Sequence, residues 1–182
     1  MLKMFPKYVW ADDVLTADEC SLIIDSGMQN MKRANTENND PGNYRKGSIG
    51  WFLKGKNPET DAVLEKVIYV FGKIVHDYFC GVQLNKIEPI QFTHYEKGDH
   101  FGWHYDAFGG GNMPVRLFSA SLELSDPESY EGGGLEFHET IENPIPHRNQ
   151  GRLIVFPSLL LHRARKVKRG TRSSLVLWSR AD

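Results

Sequence analysis

The stretch YEKGDHFGWHYDAF, residues 95 to 108, decides how the chain is read. It sets Asp99, His100, His104 and Asp106 among aromatic residues and two glycines, Gly98 and Gly102. On a helix, His100 and His104 would share one face at the i, i+4 spacing of a zinc helix. Glycine at both positions weakens such a helix, and no glutamate follows His100 as that chemistry requires. On an extended segment His104 and Asp106 stand two residues apart, so both side chains point to one side and can hold one ion. The extended reading is preferred, and it makes the segment part of a β-sheet.

The flanks agree. Downstream of residue 84, short β-prone runs are separated by glycine, proline and acidic turns: KIEPIQFTHY (86–95), VRLFSASLEL (115–124), GRLIVFPS (151–158) and SSLVLWS (173–179). Several short strands without alternating helices predict a sandwich or jelly roll. The glycine triplets at 109–111 and 132–134 read as loops.

Upstream the period is helical. In TADECSLIIDSGMQN (16–30), Thr16 and Glu19 form a capping box ahead of Cys20, Ile23, Ile24 and Met28. In the run from Asn57 to Gly81, Asn57 caps, Pro58 takes the first helical position, and Val63, Val67, Val70, Phe71, Ile74 and Phe79 make an apolar stripe. Gly81 is the stop. Between the helices, RANTENNDPGNYRKGSIGW (33–51) is polar and glycine-punctuated, and residues 33–50 are a candidate lid. The expectation is one mainly β (α+β) domain over 1–182, with a helical part over 1–83 packed on one face of a β core over 84–180.

Bulk properties bound the function. At 182 residues, 40% hydrophobic and 25% charged, the chain fits one ordinary globular domain with a real core. No apolar run approaches the ~20 residues of a membrane span, and the opening MLKMFPKYVW lacks the pattern of a secretory leader, so a cytoplasmic protein is expected. Cys20 and Cys80 lie in no CxxC or Cys/His cluster and read as buried thiols. The formal net charge of −1 gives no global attraction to nucleic acid, although HRARKVKRGTR (162–172) is locally basic.

The metal reading needs a third ligand. His162, at the end of FPSLLLH, is the best candidate, because sheet pairing can return it beside His104. Two histidines and a carboxylate on one face leave about three positions open on an octahedral ion, as in non-haem Fe(II) oxygenases. His76 reads as an ordinary helix residue, and His94, His138 and His147 as pocket, strand or loop residues. Oxygen activation at such a site needs electrons, and a keto diacid that chelates iron at one end needs a cation at the other. Arg172 offers a guanidinium for that carboxylate, Ser174 shares its strand face, and a phenol from Tyr95 completes the clamp. Arg163, Arg165, Lys166, Lys168 and Arg169 read as a solvated face.

The ordered motifs resemble the 2-oxoglutarate and Fe(II)-dependent oxygenases of the prolyl 4-hydroxylase-like group, and are similar to the bacterial PKHD-type hydroxylases. They are RKGSIGW (45–51), Tyr95 to Phe108, RLFSASLEL from Arg116, YEGGGLEF from Tyr130, FPSLLLH162 and RGTRSSLVLW, 169–178. The resemblance covers about residues 33 to 180 and implies a double-stranded β-helix (jelly-roll or cupin-like) with two N-terminal helices. It implies His104, Asp106 and His162 as iron ligands, and Arg172 with Tyr95 and Ser174 on 2-oxoglutarate. It also implies O2 as cosubstrate, ascorbate as an accessory reductant, and succinate and CO2 as coproducts. Arg45, Trp51, Phe101, Arg116, Glu136, His138 and Trp178 fall at positions near a peptide substrate. Phe101 stands where prolyl 4-hydroxylases commonly carry tyrosine. Arg172 stands where the animal collagen enzymes carry lysine, and arginine is common in PKHD-type relatives.

Three functions follow from this reading. The first is hydroxylation of a peptidyl side chain, a proline foremost, with a peptide or protein as partner. The second is oxidative demethylation of a nucleic-acid base by the same chemistry, the basic run and aromatics such as Trp103 and Trp178 gripping a strand. The third is a non-enzymatic cupin-like binding module. No membrane partner is expected, and the sequence leaves the oligomeric state open.

Overall fold

A computed structural model describes residues 6–29, 31–34, 44–79, 81–84, 86–107, 115–138 and 148–180. Among the described residues two helices, α1 (Ala17–Met28) and α2 (Pro58–Tyr78), accompany thirteen strands. In chain order these are β1 (Val9–Ala11), β2 (Lys32–Arg33), β3 (Arg45–Lys46), β4 (Ser48–Phe52), β5 (Ile90–Tyr95), β6 (His100–His104) and β7 (Arg116–Glu123). They continue with β8 (Glu131–Gly132), β9 (Leu135–Phe137), β10 (Leu153–Pro157), β11 (His162–Ala164), β12 (Val167–Arg169) and β13 (Arg172–Arg180).

The helices start where local chemistry says they should. The Thr16 hydroxyl accepts the Glu19 N–H at 3.2 Å, and the Glu19 carboxylate accepts the Thr16 N–H at 2.8 Å. Asn57 accepts the N–H groups of Glu59 and Thr60 ahead of α2. After α2, Gly81 takes φ +67 and donates to the His76 carbonyl at 2.9 Å, closing the last turn.

The strands pair antiparallel into a seven-stranded sheet of order β1-β10-β7-β13-β5-β4-β2, a four-stranded sheet β3-β6-β11-β9, and a two-stranded ribbon β12-β8. This is the double-stranded β-helix expected. One face of the large sheet meets both helices: Cys20, Ile23, Val67 and Phe71 pack with Phe92, Leu122, Leu153, Val155, Leu175 and Leu177. Each such fully buried side chain contributes about 1.5–3 kcal/mol. Helix α1 approaches so closely at Gly27 that a Cβ there would lie 2.5 Å from the Phe92 ring. The Cys20 thiol is fully buried in this core, and burial pushes its pKa up to about 12, so it is unreactive. Met28, at the end of the predicted α1 stripe, is 43% exposed and outside this core.

The N-terminal part differs from the helical expectation, because it supplies strands to both sheets. β1 pairs with β10, β4 and β2 extend the large sheet beyond β5, and β3 pairs with β6. Strands of two or three residues carry no period, and they exist because an edge is there to pair with. The candidate lid therefore includes residues of β2, β3 and β4; residues 35–43 lie outside the described residues, as do Cys80, Phe108, the 109–111 triplet and His147. Among the described residues no helix is long and apolar enough to cross a membrane.

Candidate metal centre and cavity

Strands β6 and β11 bring the histidines together by register, with His104 directly opposite His162. Asp106 follows β6 in a turn pinned by the Ser158 carbonyl, which accepts the N–H groups of Asp106 and Ala107 at 3.0 and 3.1 Å. His104 Nδ1 donates to the Gly102 carbonyl and His162 Nδ1 to the Leu160 carbonyl, each at 2.8 Å. A carbonyl only accepts, so both Nδ1 atoms carry the proton and both Nε2 lone pairs are free. Those Nε2 atoms lie 3.6 and 3.4 Å from the Asp106 carboxylate oxygens, and the three ligand atoms all fall within 4.8 Å of one another.

Electrostatics keep this donor set ready. Burial, with His162 alongside, lowers the His104 pKa to about 4, so the ring is neutral at physiological pH. Burial opposes the Asp106 charge, but the contacts with the His162 and His104 imidazoles outweigh it and hold the carboxyl well below its usual range. Aromatic packing fixes the rings. Phe101 stacks on His104 with centroids 3.7 Å apart, and Phe156 meets His162 edge-on at 4.8 Å. Two imidazoles tied from behind by backbone carbonyls and one ionised carboxylate fit an Fe(II) ion with open positions.

The triad stands in a cavity of about 370 Å³ between the two sheets. Strand alternation builds its wall: Arg172, Ser174, Val176 and Trp178 from β13, and Gln91, Thr93 and Tyr95 from β5. Arg172 and Tyr95 are opposite each other in register, and the Ser174 hydroxyl is bonded to that of Thr93 at 2.6 Å. Burial raises the Tyr95 pKa, keeping the phenol protonated. Arg45, Trp51, Phe101 and Arg116 also line the cavity. Arg45 lies over the Phe101 ring at 4.5 Å, and Arg116 over Trp178 at 3.9 Å.

Two residues expected near substrate are placed elsewhere. Leu135 of β9 faces the cavity, so its neighbour Glu136 faces out, where its carboxylate pairs with Arg163 and Arg165. His138 packs edge-on against Trp103 at 5.1 Å and is outside the cavity lining. Conversely, Gln91, Thr93, Ser121 and Phe156 line the cavity in addition to the residues the sequence indicates. Thr93 was available from the sequence, standing two residues before Tyr95 on one strand face. Glu123 has a sequence signal too, since an acidic residue inside the apolar run LFSASLEL is a buried charge in need of a partner. That partner is Arg172.

Fold and donor set together define a double-stranded β-helix with a two-histidine, one-carboxylate centre. Residues 90–180 match the 2OG-Fe(II) oxygenase superfamily. A PKHD-type hydroxylase of Crocosphaera subtropica is 31% identical over 180 residues, covering 92% of this chain and 75% of that protein. The chain belongs to the 2OG-Fe(II) oxygenase superfamily. A PKHD-type hydroxylase of Xanthomonas euvesicatoria pv. vesicatoria is 37% identical over 111 residues, 57% of this chain and 49% of that protein. The chain thus spans about half the length of the curated relatives it matches first. In fold it is similar to the viral collagen prolyl hydroxylase of Paramecium Bursaria Chlorella virus-1, solved as a 2OG complex, with TM-score 0.75, 22% identity and 97% of each chain covered.

Proposed function

We propose that the protein is a 2-oxoglutarate- and Fe(II)-dependent dioxygenase that hydroxylates a peptidyl side chain, a proline foremost. The observation that carries this reading is one cavity holding the His104, Asp106 and His162 donors together with the buried cation Arg172, Tyr95 and Ser174. In this reading His104, Asp106 and His162 hold the iron. Arg172 receives the distal carboxylate of 2-oxoglutarate, with Tyr95 and Ser174 as hydroxyl donors beside it. When bound, iron with 2-oxoglutarate and O2 supplies the oxidant for an unactivated C–H bond, leaving succinate and CO2. The protein orients the reactants and keeps water out; Phe101, Phe156 and Val176 make the dry part of the wall.

A peptide suits the mouth of this cavity. Trp51 is 45% exposed and tilts toward Trp178 at 6.2 Å, while Arg116 caps the Trp178 face, so a proline ring meets aromatic surface and a peptide carbonyl meets a guanidinium. The prolyl preference is supported by the name of the viral structural neighbour. A cytoplasmic setting, with its supply of 2-oxoglutarate and reductant, belongs to the same reading. The basic run lends no weight to a nucleic-acid substrate, since Arg163 and Arg165 share Glu136 and Lys168 faces Glu131.

The test is succinate formation from 2-oxoglutarate by the Fe(II)-loaded protein, with and without proline-rich peptides. Peptide-stimulated turnover that His162→Ala abolishes is expected, with mass spectrometry showing one added oxygen on a proline. Turnover stimulated by single-stranded nucleic acid and by no peptide would reject the substrate class.

A further inference from the structure

Arg172 is not alone in its pocket. Its Nε–H donates to Glu123 Oε2 at 2.9 Å, with the two side chains only 4% and 9% exposed. The Nε edge of the guanidinium carries this bond, and the Tyr130 phenol stands beside both side chains. The stem is gripped as well: Gly133 takes φ +69, and a Cβ there would lie 3.2 Å from Arg172 Cδ and 3.4 Å from the Tyr130 ring. Arg172 borders both the main cavity and a small void lined by Ser121, Glu123, Leu135, Arg148, Arg152 and Ile154. Glu123 lines the small void and is not part of the main cavity's lining.

This arrangement has a physical consequence. A guanidinium presents its donors as a rigid fork, so binding Nε to a fixed carboxylate sets the plane of the whole group and leaves the Nη donors for a second carboxylate. The local charge still favours an anion. Arg152 is matched by Asp12, whereas Arg148 donates to the Gly132 carbonyl and lies over the Tyr130 ring, so among the described residues of this void Arg148 and Arg172 have the one carboxylate of Glu123 between them. A second carboxylate balances the cluster.

We propose that Glu123 is a positioning residue for the cosubstrate: it fixes the Nε edge of Arg172 so that the Nη groups meet the distal carboxylate of a five-carbon keto diacid. This rests on the reading of Arg172 as the anchor for that carboxylate. Glu123 touches neither the metal nor the reacting atoms, and it acts only through Arg172.

The experiment is calorimetric titration of the Mn(II)-loaded protein with 2-oxoglutarate and with 2-oxobutyrate, which has the same keto-acid head and no distal carboxylate. Wild type binds 2-oxoglutarate more tightly; equal binding overturns the reading of Arg172 and the role of Glu123 with it. Given that preference, Glu123→Leu loses about tenfold or more of it, while Glu123→Gln, which keeps an acceptor oxygen without the charge, stays within about threefold of wild type. Affinity for Mn(II) and for 2-oxobutyrate is unchanged in both. Glu123→Leu that keeps the full preference, or Glu123→Gln as weak as Glu123→Leu, overturns the proposal. A second pair carries the test if Glu123→Leu does not fold. Lysine at 172 has one nitrogen to divide between two carboxylates, so Arg172→Lys binds 2-oxoglutarate weakly and adding Glu123→Gln restores about tenfold. Absence of that rescue overturns the proposal independently.

Discussion

At the scale of single residues, the centre is held by what lies behind its donors. Each histidine is fixed through Nδ1 by a carbonyl two residues earlier in its own chain, so its free Nε2 is set by local backbone. The ring planes are set by packing, and for His104 the packing partner is Phe101. Supports of this kind are commonly worth about 10–100-fold in metal affinity. Phe101→Ala is therefore expected to weaken Fe(II) binding by about tenfold or more, with Phe101→Tyr close to wild type because the stacked ring remains. Competition against a chromophoric chelator under anaerobic conditions reads both; unchanged affinity in Phe101→Ala would show that the carbonyls alone suffice. Gly47 makes a second residue-scale case. A Cβ at Gly47 would lie 2.7 Å from the Tyr95 ring, so Gly47→Ala must displace the phenol. The expected result is a raised KM for 2-oxoglutarate with metal affinity retained, and a normal KM would remove Tyr95 from the cosubstrate clamp.

At the scale of elements, the legible parts are those whose cause is local. The capping box at Thr16 and the Asn57–Pro58 start of α2 stand where the sequence puts them, because a cap needs only its own first turn. Asn57→Ala should cost about 1 kcal/mol, a fall of roughly 2–4 °C in Tm for a chain of this size, without changing metal affinity. Differential scanning fluorimetry and the chelator competition separate the two; a metal defect would mean that α2 supports the site through the sheet. The alternation in β13 was legible for the same reason, since Arg172, Ser174, Val176 and Trp178 share one face whatever lies opposite. β1, β2 and β3 were not, because so few residues show no period and their pairing partners are remote in sequence. Within the site, His104 and Asp106 follow from spacing, while His162 follows only from the need for a third ligand and is brought to His104 by register. The outward turn of Glu136 was hidden, because the parity of a three-residue strand is set by its neighbour β11. Glu123 was hidden for a related reason: the sequence shows a buried acid, and only the adjacency of β7 and β13 shows which cation it meets.

At the scale of the molecule, the ends of the sheet are tied beside the cavity mouth by one buried carboxylate. Glu88, in the segment leading to β5, accepts two hydrogen bonds from Arg116 at the start of β7, both at 2.7 Å, and one from Arg180 at the end of β13 at 2.9 Å. Three chain segments far apart in sequence thereby converge on one side chain, and Arg116 continues from it onto the Trp178 ring. Burial would raise the Glu88 pKa, but the hydrogen bonds and charges of the two arginines outweigh it and the net shift is downward from 4.5. A carboxyl whose pKa is lower folded than unfolded adds stability above the unfolded value, and that contribution is lost as pH falls through the folded value. The stability gap between wild type and Glu88→Gln is thus expected to be largest above about pH 4.5 and to narrow progressively in more acid solution. Urea denaturation of both proteins across that range measures it. A gap independent of pH would mean that Glu88 acts through shape and neutral hydrogen bonding alone. Because the same arginine reaches the cavity mouth, Glu88→Gln should also loosen Arg116, raising KM for a peptide substrate while leaving the KM for 2-oxoglutarate unchanged; equal effects on both would place the Glu88 cluster in the general stability of the sheet and remove it from substrate binding.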